Sequence, residues 1–235
     1  QAYPDGGVLD IDIDNGARKE KVDTASAEVA DEVLQIDLED GPHTVKLSTD
    51  AKASRIYGVA FDRNQGFILD ALMNIGGWSY NFLNYDIEHL NQQIEERKPD
   101  LVIFQFGAKE AYIYPDYNEL PAFVRDYAEG VTRVMSGQPQ ASCLIVSNKD
   151  QGIKKRGRIV TRPAIPRIVK GCERVARRTL CAFYNIYEDM GGAGTMKKWR
   201  QHKPPLVSSD LGHLMDPGAI KTGDIIAEEL LEEYE

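Results

Sequence analysis

The chain has 235 residues, 42% hydrophobic and 28% charged, enough to bury a full core as one large or two small domains. A formal net charge of −9 argues against a nonspecific nucleic-acid binder, which needs Lys and Arg in surplus over one face. No apolar run approaches the roughly 20 residues that span a bilayer, so no transmembrane segment is expected. Gln1-Ala2-Tyr3-Pro4-Asp5 has the character of neither a signal peptide nor a targeting segment, and Gln1 in place of Met predicts that something lies upstream.

From Tyr3 to about Phe61 the texture is strand and turn. Val8 to Asp14 alternates strictly, Asn15-Gly16 reads as a turn, Val33 to Leu38 alternates again, Asp40-Gly41 turns, and Thr44 to Leu47 follows. This part predicts antiparallel sheet. From about Gly66 onward, short apolar runs alternate with helical ones, the pattern of strand, helix, strand units around a parallel sheet. The predicted strands are Phe67 to Leu72, Leu101 to Phe106, Cys143 to Val146 and Ala182 to Ile186. The predicted helices lie near Phe82 to Arg97, Pro121 to Met135, Ile165 to Thr179 and Pro217 to Glu233, bounded by Pro99, Pro121, Gly137, Pro166 and Pro217. The expected fold is therefore a three-layer α/β domain over residues 64–235, with a β-rich, sandwich-like module over residues 1–63. Cys143, Cys172 and Cys181 are odd in number and two of them sit in apolar strand-like runs, which favours buried free thiols over a disulfide or a metal site.

In an open parallel sheet the functional groups gather where strands end at their C-terminal edges. The loops that matter are thus Asn74-Ile75-Gly76-Gly77-Trp78-Ser79, Gly107-Ala108-Lys109-Glu110-Ala111 and Ser147-Asn148-Lys149-Asp150-Gln151-Gly152. Just ahead of the last helix stands Ser208-Ser209-Asp210-Leu211-Gly212-His213. An Asp three residues before a His lets one short loop supply both a general base and the carboxylate that fixes its tautomer and stabilises the imidazolium.

Taken in order, these loops resemble the sequence blocks of the SGNH (GDSL-like) hydrolase family, and within it the peptidoglycan O-acetylesterase branch. Gly76 matches the glycine block, Gly107-Ala108-Lys109-Glu110-Ala111 the block whose usual form is Gly-Thr-Asn-Glu-Ala, and Asp210-Leu211-Gly212-His213 the Asp-Xaa-Xaa-His block. Cys181 to Tyr187 and Met190 to Trp199 are similar to that branch's run before the His block. The resemblance implies a Ser-His-Asp esterase with His213 as base, Asp210 as its orienter, and Gly76, Gly107 and Lys109 around the oxyanion and substrate. It also implies that residues 1–63 are part of an inserted carbohydrate-module-like segment. The implied substrate is acetylated polysaccharide or peptidoglycan, with an envelope protein as a further possible partner. The implied location is the periplasm or cell envelope.

Two departures stand beside the matches. No Gly-Asp-Ser motif occurs, so the nucleophile is expected in a preceding segment or has been lost. A preceding segment is favoured, because a sheet lacking its first strand would leave an apolar gap. Lys109 stands where the family has an asparagine whose neutral amide helps form the oxyanion hole, and losing one such donor typically costs about 3 kcal/mol in the barrier. An ammonium on a longer stem misplaces the donor, which favours the alternative of a noncatalytic homologue that binds glycan or protein. Lys109 could instead point to solvent or pair with Glu110 or Asp150.

His43, His89 and His202 lack Cys or acidic neighbours at metal-ligand spacing, so neither a metal nor a cofactor is expected. The run Lys154-Lys155-Arg156-Gly157-Arg158 could attract an acidic glycan or a membrane phosphate, a solvated flexible loop being the plainer reading. Trp78, Tyr80 and Phe82 could stack on a sugar face or simply pack a helix onto the core.

Overall fold

The computed structural model describes residues 1–2, 4–50, 55–63, 65–72, 77–113 and 120–232. Contacts divide the chain into two compact units, residues 1–72 and 73–235. In the first unit, β1 (Val8–Ile13), β2 (Arg18–Asp23) and β3 (Val45–Thr49) form an antiparallel sheet in the order β2-β1-β3. The β1–β2 turn passes through Asp14, Asn15 and Gly16, all at positive φ. His43 steadies that turn: its Nδ1 lies 2.8 Å from Asp14 Oδ2, while the other Asp14 oxygen accepts the Thr44 N–H at 2.8 Å. Ile11 and Ile13, on alternate positions of β1, are buried.

Two predicted strands whose residues fall in this unit do not form, and one of them, Phe67 to Leu72, was expected in the parallel sheet of the α/β domain. Val33 to Leu38 and Phe67 to Leu72 are irregular, and Val33, Phe67, Leu69 and Leu72 are exposed. Alternation specifies a strand only where a neighbouring ladder takes its backbone groups and a second layer takes its apolar face. Among the described residues of this unit there is neither a helix longer than one turn nor a second sheet to do so.

The second unit is built on three parallel strands, β4 (Leu101–Phe104), β5 (Ser142–Val146) and β8 (Ala182–Tyr184), in the order β4-β5-β8. Such pairing needs a crossover between strands, and α3 (Leu120–Met135) and α4 (Ile165–Thr179) supply it. Both show apolar residues at helical spacing: Phe123, Tyr127, Val131 and Val134 on α3, and Ile165, Ile168, Val169, Cys172, Val175 and Ala176 on α4, all buried. They pack with α1 (Ile87–Arg97) onto the sheet face that presents Phe104 and Ile145. The opposite face presents Leu144, Val146 and Tyr184, against which Ile225 and Ile226 of α7 (Asp216–Glu232) pack. The fold is thus mixed α/β, with helices on both faces of a parallel sheet.

Helix ends follow local chemistry. Asp86 caps α1 by accepting the His89 N–H at 2.9 Å, Lys98 closes it in the left-handed region, and Leu180 does the same after α4. Three short helices, α2 (Ala108–Ile113), α5 (Ile186–Asp189) and α6 (Thr195–Gln201), were not signalled by periodicity, being too short to display it. The basic run is not a loose loop. It forms a hairpin of β6 (Gly152–Lys155) and β7 (Arg158–Thr161) turning at Arg156-Gly157.

The expectation of three free thiols is also corrected. Cys172 is free and buried, but Cys143 and Cys181 form a disulfide with their Cα atoms 4.9 Å apart. The pairing of Leu144 with Ala182 puts the preceding residue of each strand side by side. Apolar flanks alone could not reveal that β5 and β8 are neighbours.

Candidate functional site

Three loops meet at the C-terminal edge of the parallel sheet: residues 105–107 after β4, 147–151 after β5, and 208–214 ahead of α7. The first turns at Gly107, whose φ is +107°. A Cβ there would lie 2.5 Å from Ile168 Cγ2 and 2.9 Å from the Asn148 amide nitrogen, so only glycine fits. The Gln151 amide donates to the Ala108 carbonyl at 3.1 Å, tying the second loop to the first. The Gly152 N–H donates to the Leu211 carbonyl at 2.8 Å, tying the second loop to the third.

The third loop is pinched at its base, where Val207 bridges Leu214 and the Ser208 N–H reaches the His213 carbonyl at 2.8 Å. Leu211 is buried in the left-handed region and plugs the loop onto Gly152. Asp210 then organises what remains. Its Oδ1 accepts the N–H groups of Gly212 at 2.9 Å and His213 at 3.0 Å together with the Ser208 hydroxyl, and its Oδ2 meets His213 Nδ1. Partial burial pushes the Asp210 carboxyl up, but these hydrogen bonds outweigh it and hold the group well below the usual carboxylate range. The Lys149 ammonium donates to the Gly212 carbonyl; desolvation lowers its pKa, opposed by the charges of Asp150 and Asp210.

With Nδ1 committed to Asp210, the basic nitrogen left to His213 is Nε2, on a ring whose side chain is 87% exposed. The geometry is that of an oriented base presented outward, able to take a proton from a hydroxyl brought to it.

Gly76 lies outside the described residues. Its neighbours Gly77, Trp78 and Ser79 are described, and Glu110 anchors them: Glu110 Oε1 accepts the Ser79 N–H at 2.8 Å and its hydroxyl at 2.7 Å, with both residues buried. Ser79 is therefore a structural hydroxyl. The Lys109 ammonium sits 4.7 Å from the centre of the Trp78 ring, and Trp78 in turn stacks on Tyr80. Lys149 and Gln151 are the residues whose site roles were not legible from motifs. The only signal was their position in loops that follow strands. Among the described residues no group of three or more His, Cys, Asp or Glu could hold a metal ion, and no helix is long and apolar enough to cross a membrane.

No protein-family profile matches the chain, and no curated protein does. Solved structures do. A peptidoglycan O-acetylesterase superposes with a TM-score of 0.58 at 20% identity, over 67% of this chain and 44% of that one. The chain thus spans under half of that esterase. An acetyl xylan esterase, AlAXEase, gives 0.47 at 13% identity over 66% and 76% of the two chains. A mutant of Axe2, an acetyl-xylooligosaccharide esterase from Geobacillus Stearmophilus, gives 0.43 at 13% over 67% and 68%. The first of these similarities shows that the chain shares its fold with that esterase.

Proposed function

We propose that this chain carries the base half of an SGNH-type esterase site that removes O-acetyl groups from a polysaccharide, peptidoglycan among the candidates, in the cell envelope. One observation carries the reading: His213 is seated by Nδ1 on a carboxylate that also accepts two backbone N–H groups and a hydroxyl, so that Nε2 faces outward as the base. The nucleophilic serine comes from residues outside this sequence. His213 takes its proton as the Ser oxygen attacks the acetyl carbonyl, Asp210 stabilises the imidazolium, and His213 returns the proton to the departing sugar oxygen. The N–H of Gly76 and the turn at Gly107 serve the oxyanion, and residues 1–63 belong to a β-sandwich-like carbohydrate module. The fold shared with a peptidoglycan O-acetylesterase supports the reaction class, and the Cys143–Cys181 disulfide supports an oxidising compartment such as the envelope.

A noncatalytic, glycan-binding homologue is the second reading. Lys109, over Trp78 where the family has an asparagine, favours it. The test uses the natural full-length protein, p-nitrophenyl acetate and a fluorophosphonate probe. The esterase reading expects covalent labelling of a serine outside residues 1–235, and turnover that falls on the order of a thousandfold or more in His213→Ala. No labelling and no turnover by the folded protein establishes the noncatalytic reading instead.

A further inference from the structure

Positive charge is concentrated on one part of this acidic chain. Residues 151–172 contain seven basic residues and no acidic one, and residues 190–209 contain four basic and no acidic. The fold brings the two stretches together. Helix α6 packs on β7, and the Gly194 N–H donates to Thr161 Oγ1 at 2.7 Å. Lys154, Lys155, Arg156 and Arg158 of the hairpin are exposed, as are Lys197, Lys198 and Lys203 on and after α6. None of these seven forms an ion pair with a carboxylate of the described residues.

The hairpin holds these charges at a cost. Lys155 lies directly opposite Arg158, a like-charge pair that opposes strand pairing. Arg156 and Gly157 both adopt positive φ, the two-residue turn that matches strand twist, with Arg156 in a conformation a non-glycine residue rarely takes. Four residues at about 3.3 Å each carry the tip roughly 13 Å from its root. That root is Gly152, bonded to Leu211 in the loop that holds Asp210 and His213. A cationic arm therefore stands beside the loop that carries His213.

We propose that the hairpin tip and the α6 lysines form a docking surface for a carboxylate-bearing polysaccharide, the strand whose ester groups are presented to His213. The inference rests on the esterase reading for its placement and deepens it to the class of polymer: charge complementarity selects a polyanion, and the outward base beside the arm selects a glycan over a membrane surface. Exposed cations gain little from isolated contacts, so binding depends on several at once and weakens as salt rises.

The test is affinity electrophoresis of the natural protein through gels containing polygalacturonate or neutral dextran, with flotation on phosphatidylglycerol vesicles in parallel. The expected result is retardation by polygalacturonate alone, lost progressively with salt and weakened at least fivefold in a K154E/K155E/R158E variant. K197E/K198E weakens it to a smaller extent. Both variants retain turnover of p-nitrophenyl acetate, a small neutral ester that needs no docking. Equal retardation by dextran, no retardation at all, undiminished retardation of the tip variant, or binding to the vesicles instead would each overturn the proposal. A wild type that binds polygalacturonate but lacks turnover removes the esterase reading and leaves the surface standing.

Discussion

Two helices flank the parallel sheet, and they are packed to very different degrees. Over its 15 residues α4 buries seven, including Ile165, Ile168, Cys172 and Val175, against α3 and the strands beneath. Over its 17 residues α7 buries only Gly218, with Ile225 and Ile226 half-buried on β5 and β8, and Ile220 and Leu231 facing outward. On that same side Leu101 and Ile103 of the edge strand β4 remain 39% and 41% exposed. One face is a closed core and the other is thinly covered. The loop bearing Asp210 and His213 enters α7, so the candidate chemistry hangs from the thinly covered side while the α4 side supplies stability. Functional loops are commonly drawn from such regions of low local stability.

The strongest way to test that division is to cut the staple on the α4 side. Cys143 and Cys181 pack with that core. They close a loop of 38 residues, so replacing both by Ala is expected to cost up to about 4 kcal/mol, read as a lowered denaturation midpoint. An unchanged midpoint would mean that the strands are held by packing alone. Comparable in size, Ile168→Ala on α4 should cost about 2–5 kcal/mol, whereas Ile220→Ala on α7 should stay within about 0.5 kcal/mol. Similar losses for the two would erase the contrast between the faces.

The same contrast governs what could be read from the sequence. Helix α4 is marked by Pro166 at its start and by apolar residues at i, i+3 and i+4, and it spans the predicted residues Ile165 to Thr179. The strands β4, β5 and β8 were legible as apolar runs, since strands of a parallel sheet flanked by helices on both sides need no polar alternation. Phe67 to Leu72 is also mostly apolar, but among the described residues no strand pairs with it, and it stays irregular. Hydrophobicity marks what could be covered, whereas pairing decides what is. The Asp210–His213 loop was legible because both partners lie within four residues. Glu110 bonding Ser79, Lys109 on Trp78, and the Cys143–Cys181 bridge join residues 30 or more apart, and their pairings depend on strand order.

The smallest expected effect probes the loop against the core directly. Asp210 titrates below its ordinary value in the folded chain because it accepts hydrogen bonds from His213, Gly212 and Ser208. A carboxyl whose folded pKa is depressed adds stability that is fully present above its unfolded value of 3.8 and is lost as pH falls toward the folded value. The side chain is 45% exposed, so solvent screens much of the gain and the effect stays local. Below about pH 4, exchange of the Gly212 and His213 amides, both held by Asp210, should quicken while the amides of Ile168 and Cys172 in α4 remain protected. Asp210→Asn keeps an acceptor for those amides but cannot titrate, so it should flatten the acid response of the loop. Simultaneous loss of protection in loop and helix would show that the two sides of the sheet open as one unit, and that His213 is held by the whole fold and not by the Asp210 carboxylate.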